Sequence, residues 1–296
     1  MKTAILRNKA PDGEILEAIY APENGMNLIS YRKGNVQVID QKTMPLFKQR
    51  SAGLGAFIGP HFHEQKQPPE NYDNSLFPHV KKMKEKGRKD PFSHGIARYV
   101  PWKFVNSETQ IQAELKGSDL YQGVSLKTFE GQDFHLKYEA RLLCDGLFIS
   151  TSIKSERPSL IGLHYYYRFS ENGSIMAEVK KTYRDQNEWK LLPPKWTDTR
   201  PTHLSFKLPQ IADFGFIPTK RLEAEHDFHL NFNTKDYSLR IEYNTISDSE
   251  ISCQIFRPEN ASYVCIEPLS AKNPTEPQLN LSHLEAKLQI FSPQNI

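Results

Sequence analysis

The first residue with the type and setting for chemistry is a carboxylate that follows an apolar strand pattern. The stretch runs from Tyr263 to Pro268 and reads Tyr-Val-Cys-Ile-Glu-Pro. On a strand, Val264 and Ile266 face one way and Glu267 faces the other. We expect the proline to end the ladder, which places Glu267 at a strand end. A buried carboxylate there is a candidate for acid/base work, and the alternative is a rim residue bonded to backbone or solvent.

Two histidines lie in patterns that would aim them at a cleft. His94 opens the run His-Gly-Ile-Ala-Arg, which ends at Arg98 and is followed by Pro101 and Trp102. A loop that packs Trp102 inward could hold His94 toward a cleft, and the alternative is a histidine tied to backbone in a turn. His164 lies within the apolar, aromatic stretch 160–169. A satisfied core histidine is one reading, and a sugar-binding cleft uses the same residue types.

A small-residue stretch, 51–60, leads into His61 and His63. Glycines permit close backbone approach, so the stretch is either a substrate-lining loop or a bend between strands. The His-x-His spacing also raises a metal site with both histidines as ligands, although a third and a fourth ligand are not evident. We therefore expect no metal and no cofactor.

Other charged residues are candidates for binding rather than for proton transfer. Asp213 is the carboxylate of the segment 208–216, which we interpret as a loop. The basic run 81–89 reads as a solvated face in a long exposed loop with one short helix. Arg88 or Lys89 could bind a phosphate on a small substrate. The run lacks the aromatic interleaving of a nucleic-acid surface, so no nucleic-acid partner is expected.

The elements that must position these residues are strands. Apolar residues alternate with polar ones from 15 to 20, from 110 to 116 and along the two arms 134–142 and 147–153. Similar patterns occupy 228–232, 237–243, 251–256 and 284–290, whereas 171–203 reads as irregular. Many short strands with almost no helical period predict an all-β antiparallel sandwich or barrel. The length favours one large sandwich spanning residues 1–296.

Composition excludes several classes. The 296 residues are 38% hydrophobic and 25% charged with a formal charge of +3, which favours neither disorder nor a membrane span. The first residues carry no apolar core of signal-peptide length. The three cysteines, at 144, 253 and 265, have no metal-type spacing and suit a reducing compartment. We expect a cytoplasmic protein, a monomer or a weak homodimer, with no membrane partner.

Five segments together resemble the aldose 1-epimerases, or galactose mutarotase-like proteins, and particularly the shorter branch with glucose-6-phosphate 1-epimerase-like members. Their order and spacing along most of the chain carry the resemblance. The segments are Ala21–Gly25, His94–Arg98 with Pro101-Trp102, Gly162–Tyr167, Asp213–Phe216 and Val264–Pro268.

The resemblance implies a large β-sandwich with a sugar or sugar phosphate bound in a cleft on one sheet. It implies that His164 is the general acid that protonates the ring oxygen, and that Glu267 is the general base that takes the anomeric hydroxyl proton. His94 and Asp213 would bind sugar hydroxyls. Mutarotation needs two groups whose pKa values are pushed apart by their surroundings, and it needs no cofactor.

The sequence departs from the family pattern at one loop. Family members usually carry an arginine in the segment that here reads Gly-Pro-His-Phe-His-Glu, residues 59–64. His61 or His63 could stand in for it, or Arg98 or Arg88 could reach the cleft. The departure keeps a second hypothesis open, a non-catalytic carbohydrate-binding protein on the same scaffold.

Overall fold

The computed structural model describes residues 1–65, 76–87, 89–219 and 228–293. Strands predominate in these ranges. They are β1 (Ala4–Lys9), β2 (Ile15–Ala21), β3 (Asn27–Lys33), β4 (Val36–Gln37), β5 (Gly55–Ile58), β6 (Lys103–Asn106), β7 (Gln110–Lys116), β8 (Leu120–Tyr121), β9 (Val124–Ser125), β10 (Phe134–Leu143), β11 (Gly146–Ser155), β12 (Gly162–Arg168), β13 (Gly173–Asp185), β14 (Glu188–Leu191), β15 (His203–Leu208), β16 (Ala212–Pro218), β17 (Phe228–Thr234), β18 (Ser238–Thr245), β19 (Ser252–Arg257), β20 (Tyr263–Leu269) and β21 (Leu281–Phe291). The helices are α1 (Met44–Arg50), α2 (Pro78–Glu85) and α3 (Leu126–Glu130).

The strands form two antiparallel layers. In the first sheet the order is β1-β2-β3-β5-β12-β20-β19-β16-β13-β14, with β4 beside β3. In the second sheet the order is β6-β7-β10-β11-β21-β18-β17-β13-β15. Strands β8 and β9 pair separately. The all-β sandwich expected from the sequence is confirmed.

Strand β13 belongs to both layers. Residues 173–177 pair with β15 and β17 in the second sheet, and from Val179 onward the strand pairs with β16 in the first. The register shifts between Val179 and Tyr183, as expected where an irregularity bends a strand from one sheet to the other. The far end of β13 therefore contributes side chains to the first sheet.

The core lies between the layers and is rich in tyrosine. Tyr138 of the second sheet donates a hydrogen bond to Tyr20 of the first at 3.2 Å and packs edge-on against Phe57. Tyr31 donates across the core to the carbonyl oxygen of Leu288 at 2.8 Å. Buried aromatic rings supply much apolar area, and these hydroxyls have partners, so the two layers are held in one relative register.

Three sequence expectations are wrong. The region 171–203 is not irregular, because it contains β13 and β14. Asp213 is not on a loop, because β16 begins at Ala212. Pro268 does not end its ladder: it pairs with Cys253, and β20 continues to Leu269. A proline removes one backbone donor, but here it leaves the strand path intact.

The short helix expected in the basic stretch is present as α2, Pro78–Glu85. No helix in the described ranges combines the length and the apolarity needed to cross a bilayer.

Candidate functional site

A row of directly opposed residues crosses five strands of the first sheet. Glu267 pairs with Gln254, Gln254 with Gly215, and Gly215 with Arg184. The register of β12 against β20, in which Tyr165 faces Ile266 and Gly162 faces Leu269, places His164 opposite Glu267. Opposed residues on antiparallel strands project to the same side of the sheet. We call His164, Glu267, Gln254, Gly215 and Arg184 the site row.

The imidazole of His164 and the carboxyl of Glu267 are side by side and buried. Their Nε2 and Oε1 atoms are 3.3 Å apart, and the side chains are 7% and 2% exposed. Nδ1 of His164 and Oε2 of Glu267 have no hydrogen-bond partner among the described residues. Buried polar atoms without partners are uncommon and call for an explanation such as a bound ligand.

Burial drives the two groups toward their neutral forms. Desolvation, with the nearby charge of Arg98, lowers the pKa of His164 to about 3. Desolvation, with the nearby charge of Asp213, raises the pKa of Glu267 well above its ordinary value. Both shifts favour the neutral forms, an uncharged His164 imidazole and a protonated Glu267 carboxyl.

His94 reaches the pair from a loop held in a left-handed backbone conformation. Its φ is 69°, and its ring centroid lies 5.0 Å from that of His164. The backbone N–H of His63 donates to Nδ1 of His94 at 3.3 Å, and the N–H of His94 donates to the carbonyl oxygen of His63 at 2.8 Å. Burial, together with the charge that His164 would carry, keeps the pKa of His94 well below its ordinary value. Neutral His94 thus carries its proton on Nε2 and can donate it to a ligand.

The loop that carries His94 and the loop that carries His63 touch through two glycines. Gly59 donates its N–H to the carbonyl oxygen of His94 at 2.8 Å. Gly95 has φ of 88°, and a Cβ at this position would collide with the carbonyl of Gly59. This close approach fixes the height of His94 above the sheet.

His61 lies beside the site and joins the same loops. Its Nδ1 is 2.7 Å from Oε1 of Glu130 and its Nε2 is 2.7 Å from Oδ2 of Asp90. Burial disfavours the charged ring, but the two carboxylates outweigh it and raise the pKa of His61 to about 10. Both ring nitrogens are engaged, so His61 is not available to a sugar or a metal. The side chain of His63 is exposed, so the two histidines do not form a metal site.

Arg98 acts on the site through its charge. The guanidinium donates to the carbonyl oxygen of Ser51 from Nε at 3.0 Å and from Nη2 at 2.9 Å, and Nη1 lies 3.5 Å from the carbonyl oxygen of Ser93. Arg98 is 4% exposed and favours the unprotonated forms of both His164 and Glu267. Its described donors are directed at backbone rather than at open space. Arg88, the other substitute considered for the loop arginine, lies outside the described residues.

Arg184, like Gln254 beside it, is a site residue that the sequence patterns do not single out. Its Nη2 donates to Oε1 of Gln254 at 2.7 Å, and Nε2 of Gln254 donates to Oδ1 of Asp213 at 2.8 Å. Gly215 makes room for this chain, because a Cβ there would lie 2.9 Å from Oε1 of Gln254 and 3.0 Å from Nη2 of Arg184. Nε of Arg184 is buried without a partner among the described residues. Asp213 itself is exposed, at the open side of the site.

The structure thus brings His164, Glu267, His94 and Asp213 to one face, as the resemblance implies, and adds Arg184 and Gln254. Arg184 could have been found only by pairing β13 with β16, because its neighbours in sequence show no apolar alternation across the register shift. The ring of Phe62 lies 6.0 Å from the Arg184 guanidinium and 5.2 Å from the His94 ring, and it covers the face between them.

Among the described residues, one set of donors could hold a metal ion on this face. Donor atoms of His164, Cys265 and Glu267 lie within 4.8 Å of one another. Cys265 is fully buried, and burial, with the nearby Glu267, raises its pKa well above the ordinary value. The raised pKa values of Cys265 and Glu267 favour their protonated forms, which oppose metal binding.

Two surface cavities lie away from this face. One lies on the second sheet, against β6, β7, β10 and β11, and includes Lys103, Gln112 and Glu139. The other includes Lys42, Phe169 and Arg257. Neither cavity contains a member of the site row.

No protein-family model matches the chain, and no curated protein matches it significantly. Solved structures do match over nearly its whole length. A galactose mutarotase-like protein from Clostridium acetobutylicum has a TM-score of 0.63 at 14% identity, covering 98% of each chain. A galactose mutarotase related enzyme from Lactobacillus acidophilus has a TM-score of 0.66 at 14% identity, covering 99% of each chain. A GalM/aldose epimerase homologue from C. elegans has a TM-score of 0.64 at 11% identity, covering 99% of this chain and 100% of that one. At these identities the likeness shows the fold, which is that of the galactose mutarotase-like proteins.

The contacts of His61 with Asp90 and Glu130 lead to a prediction about stability. A group whose pKa is higher in the folded state contributes stability in full below its unfolded pKa, roughly 6.5 for imidazole, and loses it as the pH passes the folded value. With a folded pKa of about 10, the loss falls between these two values. We expect the melting temperature of the wild-type protein to fall from pH 7 to pH 10 more steeply than that of His61→Gln.

Scanning calorimetry across that range measures both slopes, and His135→Gln, a half-exposed histidine on β10, is the control. Equal slopes for the wild type and His61→Gln would show that the imidazole is not held as a cation.

Proposed function

We propose that the protein is a cofactor-free aldose 1-epimerase that interconverts the α and β anomers of a hexose by acid/base ring opening. The observation that carries the proposal is the buried His164–Glu267 pair, with an unpartnered nitrogen and an unpartnered oxygen. The fold shared with galactose mutarotase-like proteins supports it.

The number of titratable protons on the pair matches what the reaction requires. Ring opening moves one proton to the ring oxygen and takes one from the anomeric hydroxyl, so one member of the pair must be protonated and the other not. After rotation about C1–C2, the ring closes on the opposite carbonyl face with the transfers reversed. The pair then returns to its starting protonation state, so the cycle needs no external acid.

The directions of the pKa shifts refine the roles taken from the resemblance. Without sugar, the shifts favour a protonated Glu267 and a neutral His164. The proposed cycle therefore begins with Glu267 as the acid and His164 as the base, or with the proton passed across the 3.3 Å between them when sugar binds. In both cases the pair holds one titratable proton, on Glu267 in the first and on His164 in the second.

The neighbouring donors provide binding groups. Nε2–H of His94 can donate to a sugar oxygen, and the unpartnered Nε–H of Arg184 can donate from the opposite side. Asp213 is exposed and accepts from Gln254, which leaves its other oxygen for a hydroxyl. Arg184, arriving from β13, supplies on this face the guanidinium that the 59–64 loop lacks.

The proposed substrate is a hexose, with a hexose phosphate as the tested alternative. Arg98, considered as a substitute for the missing loop arginine, is directed at the carbonyls of Ser51 and Ser93. The proposed location is the cytoplasm, supported by the free thiols of Cys144, Cys253 and Cys265.

A non-catalytic carbohydrate-binding protein is the second candidate. It is favoured by the loop 59–64, which has no arginine and whose His61 is engaged by Asp90 and Glu130. Sugar binding without any acceleration of anomer exchange would select this candidate.

Glu267→Gln tests the proposal by removing proton transfer while keeping the shape of the site. We expect kcat for anomer exchange to fall by roughly a hundredfold to ten-thousandfold, the usual share of a general acid or base. Sugar binding, measured by calorimetry, should persist. Glu285→Gln, on β21 of the second sheet, is the matched control. Full activity in Glu267→Gln would show that Glu267 does not transfer a proton in the reaction.

The pH profile of kcat/KM provides a separate test. The working pair gains a second proton only near the His164 pKa of about 3, and loses its proton above the raised pKa of Glu267. We therefore expect no loss of kcat/KM as the pH falls from 7 to 5, and a decline on the alkaline side as Glu267 loses its proton. A fall centred on roughly 6.5, the ordinary imidazole value, would contradict this account of the pair.

Arg184→Met tests the binding role of the guanidinium. A lost hydrogen bond to a charged group costs about 1.5–3 kcal/mol, so we expect KM to rise by roughly tenfold or more, with a smaller change in kcat. Arg240→Met, an exposed arginine on β18, should leave KM unchanged. Steady-state polarimetry gives both constants, and an unaltered KM in Arg184→Met would show that the guanidinium does not contact the sugar.

A further inference from the structure

The site row continues by one residue, to a half-exposed tryptophan. Trp189 on β14 pairs directly with Arg184 on β13, so its ring projects from the same face as Arg184, Gly215 and Glu267. Trp189 is 38% exposed. Leu191, two residues on and opposite Thr182, is 76% exposed on that same face. We call Trp189 and Leu191 the apolar rim.

The other two tryptophans show how unusual this exposure is. Trp102 is 3% exposed and donates its indole N–H to the carbonyl oxygen of Ala97 at 2.9 Å. Trp196 stacks on Phe214 with ring centroids 4.5 Å apart. Trp189 instead presents its ring at the end of the row that begins at the buried acid/base pair. An exposed apolar surface on the same sheet face as a polar site is a candidate binding surface.

The spacing of the strands sets what the rim can contact. From Glu267 to Trp189 the row crosses four strand intervals, or roughly 19 Å along the sheet at about 4.8 Å each. A single hexose seated on His164 and Glu267 cannot reach that far. A ligand that touches both ends must be longer than one sugar ring.

The chemistry along the row is that of a carbohydrate surface. Gln254 and Arg184, which are buried and hydrogen-bonded to each other, lie between the pair and the rim, and Asp213 is exposed on the same face of β16. An indole ring offers a flat apolar surface to the apolar face of a pyranose, while Leu191 widens that surface. Thr182 adds a half-buried hydroxyl beside it.

We propose, as an extension that rests on the proposed epimerase function, that the site accepts the reducing end of an oligosaccharide. The reducing unit lies on His164 and Glu267, and a later glycosyl unit stacks on Trp189. The apolar rim is then a distal subsite that selects for chain length, and Arg184 lies between the two subsites.

Anomer exchange on glucose, cellotriose, cellopentaose and maltopentaose tests this assignment, because only the longer chains can cover the distance from the pair to Trp189. We expect kcat/KM for at least one oligosaccharide to exceed that for glucose. Trp189→Ala should lower that value by about five- to tenfold, as expected for the loss of one stacking contact, and should leave glucose unchanged. Trp189→Phe, which keeps a ring, should retain most of the advantage. Val105→Ala, which trims an exposed residue on β6 in the second sheet, is the control.

Several outcomes would overturn the proposal. Equal kcat/KM for glucose and all three oligosaccharides would do so, as would an equal loss on every sugar in Trp189→Ala. A change in oligomeric state on sedimentation of Trp189→Ala, without a change in sugar selectivity, would assign the rim to a contact between copies of the chain.

The subsite and the epimerase function can fail separately. If no sugar shows accelerated exchange, the epimerase proposal fails, and binding of the same three oligosaccharides decides the subsite. A change in tryptophan fluorescence when an oligosaccharide binds to the wild type, together with loss of binding in Trp189→Ala, would support the distal subsite. Binding that is unchanged in Trp189→Ala would remove it.

Discussion

The arrangement of this protein depends on two titratable side chains held in contact where water is largely excluded. Burying the imidazole of His164 and the carboxyl of Glu267 is costly unless both are neutral or share a proton. The register between β12 and β20 enforces their contact, because a one-residue slip of either strand would turn its own member of the pair to the core. The cost of this burial is what pushes their pKa values apart, and that separation gives the pair its capacity for proton exchange.

The loops above the first sheet supply the enclosure. The carboxylates of Asp90 and Glu130 hold His61 between them, and the close approach of Gly59 and Gly95 fixes His94 over His164. These contacts connect three separate stretches of chain without using any group of the acid/base pair. The site is therefore preorganised by residues outside it, which is the arrangement that electrostatic catalysis requires.

Much of this organisation was predictable from the sequence, and what was missed has physical causes. Alternation gave the strands of the second sheet, and residue type gave His164, His94 and Glu267. Arg184 was missed because the register shift in β13 breaks the alternation that marks a strand. Asp213 was assigned to a loop because Pro209 and Gly215 flank it, although Gly215 lies within a strand to make room for Arg184. The sequence makes His61 a candidate for sugar binding because its carboxylate partners are 29 and 69 residues away, and only the fold reveals that they are close to it.

The proposed function requires the buried pair to transfer protons at the anomeric centre of a hexose. Magnetisation-transfer NMR measures this directly, by following exchange between the α and β anomer signals of glucose, galactose and glucose 6-phosphate with and without the protein. We expect exchange faster than the buffer rate on at least one sugar. The order of the exchange rates then tells whether a free hexose or a hexose phosphate is the better substrate. Sugar binding with no acceleration on any of the three would contradict it and leave a carbohydrate-binding protein on an epimerase-like fold.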